Sequence, residues 1–265
     1  MAEKIISIKN LTKTFLTAGG EKVALRNVSL DVEQGECLVI GGENGSGKSV
    51  LMSIIAGLMD GDKGPVTNEA PLVEPVETIK HPYFSVSAPI GLVFQEAETQ
   101  ILGETPAEDI AFGPKNLGWP RAKVQEAVEL ALAQTGLTEK KDFPARFLSG
   151  GEKRRLAVAC MLAMNFPVII LDEPYANLDF GGVKQVNALI RQLKADGKTI
   201  IILTHELEKC LALATRFVVL FRGEKVFDGT PAHGLEQNLE QWNIKNPLSA
   251  YNSLQDLVWQ DEKND

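Results

Sequence analysis

The sequence predicts an α/β fold with a mostly parallel core sheet, an N-terminal antiparallel β subdomain and an inserted helical subdomain. Apolar runs at 168–171, 199–203 and 217–221 are continuous, and a helical pattern separates the first two, as in parallel sheets covered on both faces. Alternating apolar and polar residues at 6–9 and 28–33 predict half-buried antiparallel strands. Helical patterns between about residues 96 and 165 predict the insertion.

The segment 42–49 fits the Gly-x-x-x-x-Gly-Lys-Ser phosphate-loop pattern. It lies between an apolar run that ends at Ile40 and a helical pattern that runs to Leu58, which is the context the motif requires. Glycines let the backbone approach phosphate oxygens, and the following helix start supplies N–H donors. We expect a nucleoside triphosphate to contact all eight residues: Gly42, Glu43, Asn44, Gly45, Ser46, Gly47, Lys48 and Ser49.

Within this loop, two side chains have predicted chemical roles. The ammonium of Lys48 is expected to reach the β- and γ-phosphate oxygens as a point charge. The hydroxyl of Ser49 is expected to bind Mg²⁺. The alternative is a flexible Gly/Ser turn, but the whole pattern arises by chance in roughly one chain of this length in a hundred.

Bulk composition narrows the class of protein. The 265 residues carry a net charge of −8, which disfavours nucleic acid as a partner. No apolar run approaches the ~18 residues of a membrane span, and the start does not resemble a secretory signal. Three widely spaced cysteines fit neither a disulfide framework nor a metal site. We therefore expect a protein of the reduced cytosol.

The apolar run 168–171 ends in two acidic residues. A carboxylate at the carboxyl end of a strand beside a phosphate loop suits Mg²⁺, which makes Asp172 the predicted metal ligand. Glu173 is the predicted general base for the attacking water. The alternative is an ordinary polar strand end.

The segment Leu148-Ser149-Gly150-Gly151-Glu152 opens another helical pattern. Ser149 and Glu152 satisfy the capping-box rule, so a purely structural helix start would look nearly the same. Glycine in the first turn costs about 1 kcal/mol against alanine, and capping alone does not explain Gly150 and Gly151. Glycines there suit a backbone that approaches a phosphate, which predicts a second anion site.

Three further residues are candidates by position. His205 follows the strand predicted at 199–203 and is able to contact a γ-phosphate. Gln95 follows the strand predicted at 90–94 and is able to contact Mg²⁺ or water. Phe15 lies in the antiparallel region, where an aromatic ring is able to stack on adenine. A structural His, a polar strand terminus and a core Phe are the alternatives.

The ordered set of motifs resembles the ATPase subunit of ATP-binding cassette (ABC) transporters over about residues 4–232. The set comprises 42–49, Gln95, 148–152, 168–173, Asp179 in Ala176-Asn177-Leu178-Asp179, and His205. The resemblance implies a P-loop NTPase that hydrolyses ATP with Mg²⁺, with Glu173, His205, Gln95 and Lys48 as catalytic residues and Gln95 as a further metal ligand. It also implies a head-to-tail dimer in which the partner's Ser149, Gly150, Gly151 and Glu152 close over each ATP, with Asp179 at the interface.

Within that family, a finer resemblance is to the ATPases of energy-coupling factor (ECF) transporters. It rests on Gly91-Leu92-Val93-Phe94-Gln95, Gln100 and the stretch EDIAFGPKNLG from 108 to 118. It implies a second ATPase chain, identical or related, a transmembrane coupling protein facing residues 95–118, and a separate membrane protein that binds a vitamin or transition-metal ion. The chain would then lie on the cytoplasmic membrane face. The sequence departs from the family at Ala97, commonly Pro, and at Phe15, commonly Tyr.

The predicted organisation is an ATPase domain at 1–233, with the helical subdomain at about 96–165, and a C-terminal helical extension at 234–265. The ATPase of an ordinary ABC importer or exporter is the nearest alternative. A soluble ABC ATPase that acts on DNA or ribosomes is a more distant one, because such proteins commonly carry two cassettes or a long coiled coil.

Overall fold

The computed structural model describes residues 3–59, 79–81, 84–86 and 88–249. Strands in these ranges are β1 (Lys4–Thr17), β2 (Gly20–Glu33), β3 (Cys37–Gly41), β4 (Ile79–His81), β5 (Phe84–Val86), β6 (Ile90–Val93), β7 (Val168–Asp172), β8 (Thr199–Thr204), β9 (Arg216–Phe221) and β10 (Glu224–Gly229). The α-helices are α1 (Lys48–Ile55), α2 (Pro106–Asn116), α3 (Arg121–Thr135), α4 (Gly150–Ala163), α5 (Phe180–Ala195) and α6 (Pro231–Leu235).

The central sheet has six strands in the order β10-β9-β3-β8-β7-β6. The five strands from β9 to β6 are parallel, and only β10 pairs antiparallel at the edge. Residues 37–40, 200–203 and 217–220 are fully buried, as expected for strands covered on both faces. The predicted mostly parallel sheet is therefore confirmed.

A second sheet of four antiparallel strands has the order β2-β1-β5-β4. Its long hairpin β1–β2 turns at Thr17–Gly20, and alternate residues such as Ile6, Ile8 and Leu30 are buried. Together with α1 and one face of the central sheet, these side chains form one hydrophobic core. The predicted N-terminal antiparallel region is confirmed, and β4 and β5, which lie between α1 and β6 in the chain, extend it.

The helices α2, α3 and α4 pack on one another around a separate apolar cluster that includes Ile110, Leu132 and Leu156. The N-cap of α2 forms only half of a capping box. Thr105 accepts from the N–H of Glu108, but the Glu108 carboxylate accepts from Glu104 N–H instead of turning back to Thr105. α4 starts at the predicted cap, Ser149, and α3 ends at Gly136 with φ of +66°.

The opposite face of the central sheet is covered by α5 and the segment after β10. Leu239 and Ile244 are buried in that core, and the Trp242 ring lies 6.3 Å from the Phe227 ring. Of the predicted helical extension, the structure describes 234–249, where α6 ends at Leu235 and a short 3-10 helix covers Leu239–Trp242. Residues 250–265 lie outside the described residues.

The end of one helix and the presence of one strand differ from the sequence prediction. α1 ends at Ile55 rather than Leu58, because Gly57 adopts φ of +72° and the next N–H groups turn back to Ser53. The strand β10 was not predicted. Long-range contacts define it: Asp228 on β10 accepts hydrogen bonds from Arg216 on β9.

Candidate active site

Four parallel strands end at one edge of the central sheet, and a predicted site residue follows each. Gly41 pairs with Thr204, Leu203 with Asp172, and Leu171 with Val93. Since these residues close β3, β8, β7 and β6, the loop at 42–49, His205, Glu173 and Gln95 all start from that edge. The topology thus gathers segments separated by more than one hundred residues.

Close backbone approaches fix the shape of the loop at 42–49. At Gly42, with φ of +154°, a Cβ would lie 2.2 Å from the carbonyl oxygen of Leu220. At Gly47, with φ of +104°, a Cβ would lie 2.6 Å from the carbonyl oxygen of Ala24 on β2. Both positions therefore require glycine, and the antiparallel sheet holds the loop from one side.

The side chain of Lys48 is buried within the loop. Its Nζ donates to the carbonyl oxygens of Gly42 at 2.7 Å and Glu43 at 3.0 Å. Burial lowers the pKa of Lys48, and the carboxylates of Glu173, Asp172 and Glu43 partly oppose this shift. A buried cation satisfied only by neutral carbonyls suits a site that exchanges those acceptors for phosphate oxygens.

The donor set at Asp172 and Ser49 fits Mg²⁺. Oδ1 of Asp172 is buried and has no hydrogen-bond partner among the described residues. Burial raises the pKa of Asp172, while a hydrogen bond from Ser49 and the charge of Lys48 act in the opposite direction. A carboxylate oxygen beside a hydroxyl is a set of hard oxygen ligands, and Mg²⁺ prefers such ligands. These two residues can hold the ion.

Glu173 is buried and has a backbone φ of +46°. Its Oε2 accepts from the Thr204 hydroxyl at 3.0 Å, and its Oε1 lies 2.9 Å from Nδ1 of His205. The N–H of Glu173 donates to the Leu203 carbonyl oxygen at 2.8 Å. A left-handed conformation in a non-glycine residue costs about 1–2 kcal/mol, and such strain clusters at functional sites.

The predicted capping box at Ser149 is present. Ser149 accepts from the N–H of Glu152 at 3.3 Å, and the Glu152 carboxylate accepts from the N–H of Ser149 at 2.9 Å and from Lys140. A Cβ on Gly150 would meet no heavy atom within 4 Å, and one on Gly151 would meet only Leu178 at 3.6 Å. The chain itself therefore does not require either glycine.

Comparison with known proteins identifies the family. A family model described as ABC transporter matches residues 25–176. The chain belongs to the ABC transporter ATPases. It is an ATP-binding, ATP-hydrolysing cassette on the P-loop NTPase fold, as the resemblance implied.

Several curated relatives of this cassette carry ECF-type names. The chain is 37% identical to the energy-coupling factor transporter ATP-binding protein EcfA2 of Methanospirillum hungatei, over 93% of this chain and 61% of that protein. It is 41% identical to EcfA1 of Caldanaerobacter subterraneus, over 78% and 73%. It is 38% identical to the cobalt import ATP-binding protein CbiO of Rhodobacter capsulatus, over 92% and 86%.

Solved structures show the same cassette. CbiO1 of Clostridium perfringens, described as part of the ABC transporter complex cbiONQ, superposes with a TM-score of 0.74 at 28% identity, covering 92% of this chain and 96% of that one. A dimeric ATP-binding cassette in a post-hydrolysis state, bound to ADP and Pi, gives a TM-score of 0.70 at 25% identity, covering 85% and 98%.

The remaining predicted site residues of the cassette lie as follows. Asp179 caps α5, with its Oδ1 accepting from Gly182 N–H at 2.7 Å. Phe15 is half-buried on β1 and pairs with Lys22 on β2. Ala24, also on β2, is the residue whose carbonyl oxygen lies against Gly47. Gln95 has an exposed side chain, and its carbonyl oxygen accepts from Arg154 at 2.8 Å.

No described helix is both long and apolar enough to cross a membrane.

Sequence reasoning missed three residues that contact the predicted site. Thr204 binds the Glu173 carboxylate, Arg154 binds the backbone on both sides of the site, and Asn243 donates to the Glu43 carboxylate at 2.6 Å. The sequence could have indicated Thr204, because this residue ends a buried strand immediately before His205. Nothing in the sequence indicated Asn243, since it lies 200 positions from Glu43.

Proposed function

We propose that this cassette is the ATP-binding and ATP-hydrolysing subunit of an ECF-type importer. The observation that carries the proposal is a row of exposed apolar side chains between the end of β6 and the end of α2. Phe94, Leu102, Phe112 and Leu117 are 38%, 67%, 48% and 56% exposed. They lie in the segment whose sequence resembles ECF ATPases, and relatives with ECF-type names support the assignment.

In this proposal the loop at 42–49 binds the triphosphate of ATP. Lys48 exchanges its two carbonyl acceptors for phosphate oxygens, and the Ser46 hydroxyl, which has no hydrogen-bond partner in the described part of the chain, is a further donor. Ser49 and Asp172 would hold Mg²⁺, with Gln95, which follows the adjacent strand β6, as a further ligand. Bound there, the ion would neutralise charge on the phosphates. Phe15 stacks on the adenine from the antiparallel sheet.

Hydrolysis is assigned to Glu173 and His205. Water attacks the γ-phosphorus, its proton passes to the Glu173 carboxylate, and the bond to the ADP oxygen breaks. The Thr204 hydroxyl and the His205 ring hold that carboxylate in one orientation. His205 is half-exposed, which leaves its outer ring edge able to contact the γ-phosphate.

A second cassette, identical or related, completes each ATP site in a head-to-tail dimer. Gly150 faces open space in this chain, which suits a helix start that meets the partner's nucleotide. Ser149, Gly151 and Glu152 frame that helix start, and Asp179 lies at the same interface. ATP then favours the closed dimer over the open one through differential affinity, and hydrolysis reverses that preference.

The exposed apolar side chains between the end of β6 and the end of α2 are the proposed contact surface for the transmembrane coupling protein. Contact with its cytoplasmic helices places the cassette on the cytoplasmic face of the membrane as a peripheral subunit, with 1–233 as the ATPase domain and 234–265 as an extension. A separate membrane protein binds the transported vitamin or transition-metal ion. Nucleic acid is not a partner in this proposal, consistent with the net charge of −8.

The proposal is tested by purifying the tagged chain from membranes in detergent and identifying every copurifying protein by mass spectrometry. We expect a coupling protein, a small substrate-binding membrane protein and, where the dimer is mixed, a second cassette. Recovery with a fused permease would instead support the ordinary ABC importer or exporter. Recovery with ribosomal proteins or DNA-bound factors would support the soluble ATPase class.

A further inference from the structure

Arg154 is a buried cation near the start of α4. The residue is only 6% exposed, although arginine is seldom buried without a charged partner. Neither Glu173 nor Glu206, the carboxylates that electrostatically favour its charge, forms a salt bridge with it. The direct hydrogen-bond partners of the guanidinium are therefore other groups.

The guanidinium hydrogen-bonds three backbone carbonyl groups. Nη1 donates to Pro174 O at 2.7 Å and to Ala176 O at 3.1 Å, and Nη2 donates to Gln95 O at 2.8 Å. The planar fork of arginine suits this arrangement, because a lysine ammonium is a single point charge on a flexible stem. The side chain thus joins the end of β6 to the loop after β7.

Two of these three carbonyl groups belong to, or directly follow, a residue of the proposed catalytic machinery. Pro174 directly follows Glu173, whose backbone is held at φ of +46°. Gln95 itself supplies the third carbonyl group. Arg154 is the fifth residue of α4, so it moves as one rigid unit with the helix start at Gly150.

The guanidinium is not fully satisfied. Its Nε is buried and has no hydrogen-bond partner among the residues that the structure describes. An unpaired buried donor is unfavourable, and such exceptions in folded proteins call for an explanation.

We propose that Arg154 is a positioning residue that couples the two ATP sites of the cassette dimer. The inference rests on the head-to-tail dimer proposed above. In that dimer the start of α4 contacts nucleotide on the partner's loop, whereas Glu173 and Gln95 act on nucleotide bound to their own chain. Arg154 joins the start of α4 to the segments that carry Glu173 and Gln95. When α4 closes on the ATP bound to the partner, Arg154 therefore aligns Glu173 with the ATP bound to its own chain.

The test compares Arg154→Met and Arg154→Lys with Lys153→Met in the purified transporter complex. Lys153 is the matched control: it is the neighbouring basic residue of α4, and its ion pair with Glu98, at 2.7 Å, joins nearly the same segments on the surface. Measurements are kcat, the Kd for a fluorescent ATP analogue, and the Hill coefficient of hydrolysis. Arg154→Lys keeps the buried positive charge. If Arg154→Met does not fold, Arg154→Lys still tests the proposal.

Both Arg154 variants are expected to lower kcat about 10- to 100-fold, because misplacement of a reacting group by ~1 Å costs that much. The Kd should change less than about twofold, since Arg154 does not touch the phosphate loop. The Hill coefficient should fall to 1, while Lys153→Met retains the wild-type values.

Two results would overturn the inference while leaving the dimer intact. One is a wild-type Hill coefficient in both Arg154 variants. The other is a fall in kcat that equals the fall in the fraction of protein able to bind nucleotide. Such a match would indicate a purely structural role for Arg154. A wild-type complex that hydrolyses ATP without cooperativity and with one cassette per particle would instead contradict the proposed function.

Discussion

The Nδ1 atom of His205 lies 2.9 Å from Oε1 of Glu173, at the carboxyl ends of two adjacent parallel strands. Thr204 donates to the other carboxylate oxygen at 3.0 Å, so both oxygens of the buried carboxylate are held by β8 and the residue that follows it. In the proposed mechanism this orientation is set before ATP binds, so little reorganisation would accompany proton transfer. Glu173, Thr204 and His205 form one hydrogen-bonded unit.

Glu173→Gln is expected to abolish turnover while ATP still binds. The amide has the shape of the carboxylate and keeps a hydrogen-bond acceptor for Thr204, but it cannot accept the proton of the attacking water. Steady-state phosphate release should fall by about 10²- to 10⁴-fold. Glu208→Gln, at an exposed position nearby, should hydrolyse ATP normally. Undiminished phosphate release by Glu173→Gln would remove Glu173 from this role.

Lys48→Ala is expected to weaken ATP binding without weakening the fold. Burial lowers the pKa of Lys48, which means that the empty protein disfavours its charged form. Loss of charge-assisted bonds to phosphate should raise the Kd about 10- to 100-fold in a titration. Thermal unfolding should show no loss of stability. Lys123→Ala, on the exposed face of α3, is the control, and equal affinities of the two variants would contradict the assignment.

Gly150→Ala should separate stability from activity. A Cβ there meets no atom of this chain, and alanine at a helix position stabilises by about 0.4–1 kcal/mol. In the dimer, the same methyl group would obstruct the approach to the partner's nucleotide. We expect unfolding at equal or higher temperature together with reduced ATP hydrolysis; unchanged hydrolysis would argue against a nucleotide contact at this helix start.

Gly42→Ala, unlike Gly150→Ala, is expected to lower both the stability of the protein and its affinity for ATP. Its Cβ would lie 2.2 Å from the Leu220 carbonyl oxygen, in a backbone conformation that favours glycine. The loop must therefore shift, at a cost of about 1–3 kcal/mol in the free energy of unfolding. Denaturant unfolding and ATP titration should both show a loss. A variant with wild-type values in both would show that the loop tolerates a side chain.

Asn243→Ala tests the contact between the C-terminal segment and the phosphate loop. Asn243 Nδ2 holds the Glu43 carboxylate at 2.6 Å, and the Glu43 carbonyl oxygen is an acceptor of Lys48. Releasing that carboxylate frees a negative charge beside the phosphates, so the Kd for ATP should rise about two- to tenfold. Asn246→Ala is the matched control, because Asn246 binds Leu235 O instead. Identical affinities of both variants would rule out the effect.

The parts of the fold that sequence predicted are those that local patterns encode. Val168–Leu171 is a continuous apolar run and forms a buried strand, and Ser149 with Glu152 forms the capping box that their spacing indicates. The turn between β3 and α1 likewise falls within the segment 42–49, where the glycine motif indicates it. For these features, the information lies within a few neighbouring residues.

The missed features depend on contacts that form only in the folded chain. The strand β10 is held by Asp228, whose pKa burial alone would raise but hydrogen bonds from Arg216 and Lys225 hold below its usual value. The sequence analysis assigned no role to Arg154, because its carbonyl partners on Gln95 and Pro174 lie 59 and 20 positions away in the chain. Side-chain periodicity does not report which carbonyl groups a folded chain brings together.

The central claim is that two cassettes share each ATP, and native mass spectrometry of the Glu173→Gln variant with Mg²⁺ and ATP tests it most directly. The account predicts particles with two cassette chains and two ATP molecules, which separate when ATP is removed. Adding Ser149→Arg should prevent pairing while each chain still binds one ATP, because the helix start is blocked and the phosphate loop is intact. Single cassettes that retain ATP without pairing, in Glu173→Gln itself, would contradict the account.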